Sequence, residues 1–150
     1  MTHIEYRDGY LYQLETTYVV LTPIIPATAI HTEYISLEID GTITIREGYA
    51  WDGPSGPTIA TPDFMRGSLV HDALYQLMRE DRLSHAQYRA AADKLLHDIC
   101  IEDGMTPVRA WWVYEGVSRF GEPSSDPAST KPVLIAPRTD PVKENDEIRY

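Results

Sequence analysis

Val70-His71-Asp72-Ala73-Leu74-Tyr75 is the stretch around which the rest of the chain is organised. Its spacing predicts a helix from Phe64 to about Arg79, with an apolar stripe of Val70, Leu74, Leu77 and Met78. His71 and Tyr75 stand one turn apart and so share a face. A histidine and an aspartate beside an apolar stripe are costly to bury unless they are hydrogen-bonded, paired or bound to a metal. Upstream lies Trp51-Asp52-Gly53-Pro54-Ser55-Gly56-Pro57, a loop dense in residues that shape the backbone. Downstream, on the next expected helix, Asp93 is a further candidate partner. Loop, His-Asp helix and second aspartate make up the one constellation that looks like chemistry.

Toward the N-terminus the pattern changes to strands. Residues 10–14 and 17–22 are rich in Tyr, Val and Thr, which suit a half-buried pleated surface. Pro23 and Pro26 then break the run. Ile35, Leu37 and Ile39 alternate with polar residues, and the alternation resumes at Ile43 and Ile45. Asp40-Gly41 between them signals a tight hairpin of type I′, which needs positive φ at both central residues. Residues 48–63 hold too many Pro and Gly for a helix or a central strand, so an ordered loop is expected between sheet and helix.

Toward the C-terminus two more helices follow. Ser84 and Gln87 form a capping box for a helix reaching about Glu102, with Tyr88, Ala92, Leu95, Leu96 and Ile99 on its core face. Thr106 and Pro107 start a third, to Phe120, that stops at Gly121. From Glu122 onward the chain is Pro, Ser, Thr and charge, apart from the apolar island Val133-Leu134-Ile135. The expected organisation is one α+β domain over residues 1–121, with a small antiparallel sheet, an ordered Pro/Gly loop and three helices. Residues 122–150 are expected to be an extended Pro/Ser-rich tail. Such a tail does not fold alone, so residues 123–150 are expected to lie on neighbouring subunits, with the island inserted in a groove.

The totals narrow the function. A chain of 150 residues is long enough to bury roughly 70% of its unfolded surface in one domain. Its formal net charge of −10 argues against nucleic acid as a partner and favours cations or a basic surface. Cys100 is the single cysteine, which excludes an internal disulfide and fits a reducing compartment. Met1-Thr2-His3-Ile4-Glu5 has no basic end leading into an apolar run, so no signal peptide is expected. No segment approaches the roughly 18 uninterrupted apolar residues of a spanning helix.

His71 has two readings: a core histidine satisfied by a backbone carbonyl, or a base. If the first two helices pack antiparallel, as their short connection suggests, Asp93 reaches His71. A carboxylate on one imidazole nitrogen fixes the tautomer and frees the other nitrogen for proton transfer. Tyr75, on the same face, can donate a hydrogen bond to an aspartate. Asp72 points about 100° away around the helix. Together with Asp52, Gly53 and the loop carbonyls it offers an all-oxygen site suited to calcium. The competing reading is that Asp52 and Ser55 only cap turns. A zinc site from His71, Asp93 and His97 is the alternative metal centre. His3, His31 and His85 are read as surface residues, Trp111 and Trp112 as core and groove aromatics, and Cys100 as a small buried hydrophobe.

Asp52-Gly53-x-Ser55-x-Pro57, His71-Asp72-x-Leu74-Tyr75 and Ala92-Asp93 resemble a family of small bacteriophage and prophage proteins of unassigned function, over about residues 30–121. The same order is similar, more distantly, to the bacterial sn-2-type secreted phospholipases. That resemblance implies His71 as base, Asp72 and the Asp52 loop as calcium ligands, and Asp93 as the residue orienting His71. The two cysteines that bond to each other in those phospholipases are Pro54 and Ser68 here. The reading expected from the resemblance is a phage-borne, calcium-assisted ester hydrolase acting on a lipid or cell-wall substrate. Two rivals stand beside it. One is a non-enzymatic virion part, of tail or head, whose His-Asp-Tyr network is structural; the other is a zinc hydrolase of cell-wall bonds. Synthesis in the host cytoplasm, with association to the virion, is the expected location.

Overall fold

The computed structural model of the chain describes residues 3–4, 6–7, 12–53 and 61–129. The N-terminal part folds as two small antiparallel sheets. One orders β1 (Tyr6–Arg7), β2 (Tyr12–Leu14) and β7 (Ala50–Trp51) as β1-β2-β7. The other runs β3-β6-β5-β4, from β3 (Tyr18–Leu21), β6 (Thr42–Ile45), β5 (Ile35–Leu37) and β4 (Ile30–His31). Register places Leu37 opposite Ile43 and Ile35 opposite Ile45, so the alternating apolar set faces inward and all four side chains are fully buried.

The β5–β6 hairpin forms where expected, but not with a type I′ turn. Glu38 and Thr42 close a three-residue loop: Glu38 N donates to Thr42 O at 2.9 Å and Gly41 N donates to Glu38 O at 3.0 Å. Gly41 alone has positive φ (90°), the arrangement of a type I turn followed by a left-handed glycine. Asp40 stays in ordinary backbone space and accepts from Thr42 N at 2.9 Å. Ile39, lifted into the turn, is exposed instead of continuing the inward alternation.

α1 (Pro62–Arg79) is the central element, with thirteen of its eighteen residues buried. It begins two residues earlier than the apolar pattern suggested, because Pro62 suits the first helical position. α2 (His85–Glu102) and α3 (Pro107–Phe120) have the predicted bounds; the Ser84 and Thr106 side chains accept from the third residue on. One face of α1 shares a cluster with Leu14, Tyr18, Ile35, Leu37, Ile43 and Ile45 of the sheets. A second cluster joins Phe64 of α1 to Leu96 and Cys100 of α2 and Ala110 and Val113 of α3. Burying each such aliphatic side chain contributes on the order of 2 kcal/mol. α2 packs directly against Gly67 of α1, where a Cβ would stand 2.9 Å from Leu96 Cδ1 and 3.2 Å from Cys100 Sγ.

A clamp not evident from the sequence ties the layers. The buried Arg66 donates through Nε and Nη2 to Asp103 (2.8–3.1 Å) and through Nη1 to Tyr18 Oη at 3.0 Å. Past Gly121 the chain does not leave the domain, as an extended tail from residue 122 would. It forms α4 (Glu122–Ser125) and a 3-10 turn (Pro127–Ser129). Ser125 is fully buried and Arg79 donates to Ser124 O at 2.9 Å. The packed domain therefore extends at least eight residues past Gly121, to Ser129. The island Val133-Leu134-Ile135 lies outside the described residues. Among those described, no helix is long and apolar enough to cross a membrane.

Gly41→Ala tests the turn. A Cβ there would stand 2.2 Å from Thr22 O on a backbone with positive φ. Urea denaturation should show a loss of about 2 kcal/mol or more, with helical content unchanged at the start of the titration.

Candidate functional site

The antiparallel packing of α1 on α2 brings the predicted residues together. Asp93, 1% exposed, lies opposite the His71 turn. Its Oδ1 accepts from Tyr75 Oη at 2.5 Å and sits 2.8 Å from His71 Nε2. Oδ2 faces the Arg89 guanidinium at 3.8 Å. The His71 and Tyr75 rings stack at 4.0 Å between centroids, tilted by 37°. This locks the imidazole from two sides, and with Asp93 ionised the bonded nitrogen is Nε2–H.

The other nitrogen, Nδ1, points to Asp72, whose Oδ1 is 3.9 Å away. That is an ion-pair distance rather than a hydrogen bond, and it shows that Asp72 leans toward His71 more than helix geometry alone suggested. Burial works against the charged imidazolium, yet the Asp72 charge and the Asp93 hydrogen bond outweigh it and raise the His71 pKa. Burial raises the Asp72 pKa too; His71 and Arg79 oppose that rise, and the charge of Asp52 adds to it. Burial, then Asp93, raises the Tyr75 phenol, which keeps it a neutral donor.

The strand before the Pro/Gly loop is pinned to α1. Trp51 Nε1 donates to Ser68 Oγ at 3.1 Å, Ser68 Oγ donates to Met65 O at 2.9 Å, and Tyr49 Oη donates to Gln76 Oε1 at 3.1 Å. Those anchors deliver Asp52 and Gly53 to the cavity that His71, Asp72 and Tyr75 also line, about 900 Å³ in volume. Pro54, Ser55, Gly56 and Pro57 lie outside the described residues. Two carboxylates, Asp52 and Asp72, line one cavity, and Asp72 is held above its ordinary pKa by burial and by the charge of Asp52. Asp52, Gly53 and Asp72 are the residues that would hold calcium; a set of six to eight oxygens needs further donors.

The zinc alternative is less well assembled. His97 places Nδ1 3.0 Å from Asp98 and its ring edge on Tyr114, while Asp93 is engaged by His71 and Tyr75. No cluster of three or more His, Cys, Asp or Glu placed to hold a metal occurs among the described residues. Cys100 is buried, with its thiol pKa pushed up to about 12 by burial. His3 and His31 are exposed and His85 is half-buried.

The far wall of the cavity was not anticipated. It comes from α3, whose Trp111 and Trp112 pack edge to face with centroids 5.0 Å apart. Rather than lying in the core, they are 49% and 65% exposed. The smaller residues Ala110 and Val113 are the ones that α3 buries. Tyr49, Trp51 and Ser68 were also missed as site-shaping residues, since their bonds join segments distant in sequence.

Fold and site together define an α+β protein in which a buried carboxylate, an imidazole and a phenol form one network beside a wide cavity. The chain belongs to the family described as "protein of unknown function (DUF1353)", whose model matches residues 29–117, from just before β4 through most of α3. Comparison with the curated proteins and with the solved structures gives no match.

The raised pKa of His71 has a consequence for stability. A histidine whose folded pKa lies above its ordinary value of about 6.5 stabilises the fold fully below that value and loses the contribution as pH rises through the folded pKa. The stability gap between the parent and His71→Asn, measured by denaturant melts across pH, should therefore be widest in mild acid and narrow toward alkaline pH.

Proposed function

We propose that this chain is a phage-borne ester hydrolase with a phospholipase-like His-Asp site, assisted by calcium. The observation that carries the reading is the division of labour at His71: Nε2 is held by Asp93 at 2.8 Å, while Nδ1 turns to Asp72. In the proposed reaction Nδ1 takes a proton from water as its oxygen attacks the ester carbonyl carbon. Asp93 stabilises the resulting imidazolium through the Nε2–H bond, and Tyr75 holds Asp93 in place. The imidazolium then returns the proton to the leaving alkoxide oxygen as the ester C–O bond breaks. Calcium bound by Asp52, Gly53 and Asp72 would supply Lewis-acid polarisation of the carbonyl. The apolar and aromatic cavity wall suits an ester with a hydrocarbon portion, as in a lipid. Phage origin rests on the resemblance of the Asp52 loop and the His71 helix to phage and prophage proteins.

A structural role within a virion is the second reading. It is favoured by one observation: among the described residues, no buried side-chain nitrogen or oxygen lacks a hydrogen-bond partner. A network so complete can serve the fold alone.

His71→Asn separates the two. As a base, His71 should be worth roughly 100-fold or more in hydrolysis of a short-chain or lipid ester, with the melting temperature nearly unchanged at alkaline pH, where the contribution of the charged imidazole is lost. As a structural member, its loss should cost about 3 kcal/mol with no activity to lose. Calcium at 100-fold its Kd should stabilise the parent by about 2.7 kcal/mol and leave Asp72→Asn unaffected. Hydrolysis should decline as pH falls through the raised pKa of His71, because protonation occupies the nitrogen that must accept the proton.

A further inference from the structure

α3 is apolar on two sides. Ala110 and Val113 are buried beneath it, and Val117 packs against the same cluster. Val108, Trp112, Gly116 and Phe120 recur every four residues and so form one ridge along the helix. Val108, Trp112 and Phe120 on that ridge are 69%, 65% and 79% exposed, and Trp111 stands edge to face against Trp112. A Cβ at Gly116 would meet nothing within 4 Å, so an open notch interrupts the ridge between Trp112 and Phe120. A helix apolar on opposing sides is normally covered on both.

We propose that a second copy of this chain covers the ridge, as an antiparallel pair of α3 helices about a twofold axis. The spacing is self-complementary. An axis at the level of Tyr114 sets Trp112 of each copy over Gly116 of the other and Phe120 against Val108, so each aromatic meets a smaller residue. The area is sufficient. The exposed parts of Val108, Trp111, Trp112 and Phe120 come to roughly 500 Å² on one copy and about 1,000 Å² over two, the size at which a specific interface begins.

Charge selects this helix as the place of contact. Two chains of net charge −10 repel where acidic surfaces meet. α1 holds two acidic and two basic residues and α2 three and two, whereas α3 holds one glutamate and two arginines. Both arginines are already answered: Arg119 Nε lies 3.0 Å from Glu115 Oε2, and Arg109 Nη1 lies 3.1 Å from Asp63 Oδ1. The pairing therefore joins the least acidic of the three long helices and leaves no bare charge on it. Two paired arginines also fall short of the basic cluster that holds a helix on an anionic membrane. Trp111, Trp112 and Phe120 line the cavity that His71 and Asp72 share, so in the dimer the second copy's α3 borders that cavity whether or not the site is hydrolytic.

The test is sedimentation velocity of the full chain over a wide range of concentration, with isotope-filtered NMR on a mixture of labelled and unlabelled chain. The parent should pass from monomer to dimer as concentration rises. The mixed sample should show contacts from the Trp112 indole of one copy to the Gly116 Hα of the other. Gly116→Leu, which fills the notch, should weaken the dimer at least about tenfold, and Trp112→Glu about 30-fold or more. Both positions are open in the monomer, so the dilute variants should keep the parent's circular dichroism. A parent that stays monomeric throughout would overturn the proposal. So would a dimer without the cross-copy contact, or one that both substitutions leave intact, which places the contact elsewhere. Sedimentation of the dilute chain with phosphatidylcholine vesicles, lost in Trp112→Glu, would give the ridge to a lipid surface instead.

Discussion

The Asp93 carboxylate is the constraint on which the two-helix core depends. An ionised carboxylate 1% exposed costs several kcal/mol in desolvation unless the protein replaces its water. Here a phenol and an imidazole do so, both at Oδ1, while Arg89 supplies positive charge beside Oδ2. Both donors stand on α1 and the acceptor on α2, so the network fixes rotation and register between the helices. Gly67 permits the approach that makes it possible: one turn before His71, it removes the side chain that would hold α2 away. Packing and polar network are thus one device. Without the close crossing Asp93 would be out of reach, and without the donors the crossing would bury a bare charge.

From that joint the rest of the cavity is positioned. α1 carries Ser68 and Gln76 on either side of the His71 turn, and each takes a hydrogen bond from an aromatic residue near β7. Trp51 and Tyr49 therefore dock the sheet edge to the helix that holds the imidazole. Ser68 accepts from Trp51 Nε1 and donates onward to Met65 O, so the link between strand and helix continues into the α1 backbone. A hydrogen bond of this kind contributes about 1 kcal/mol.

Much of this was legible in the sequence because it is periodic or local. The bounds of α2 and α3 followed from Ser84 and Thr106 as caps and from periodic apolar residues, and the hairpin from alternation on either side of Asp40-Gly41. The His71-Asp93-Tyr75 network was legible as well, since one-turn spacing on α1 and a short connection to an antiparallel α2 leave few other arrangements. What escaped was non-local or depended on a single residue of length. The turn type changed because the loop closes at Glu38 and Thr42, which alternation does not specify to the residue. The Arg66 clamp joins positions 18, 66 and 103, and no local pattern links them. Residues 122–129 read as tail because they are polar, yet Ser125 is fully buried and the Ser124 carbonyl accepts from Arg79.

The contrast between the two aspartates bears most directly on what the site is for. Asp93 is deeply buried, with two hydrogen bonds at Oδ1 and the Arg89 charge beside Oδ2. Asp72, 33% exposed at its side chain, meets the imidazole only at 3.9 Å. Its pKa is raised, so its ionised form opposes folding at neutral pH instead of supporting it. A network kept for stability alone would gain from an amide or an apolar residue at that position. A carboxylate on a cavity wall, beside the second imidazole nitrogen, is an arrangement that recurs where proteins hold charge for a ligand or for proton transfer. The satisfied pair of His71 and Asp93 is compatible with either role. Asp72, a third exposed on the cavity wall, is the carboxylate of the two that a ligand or a proton can reach.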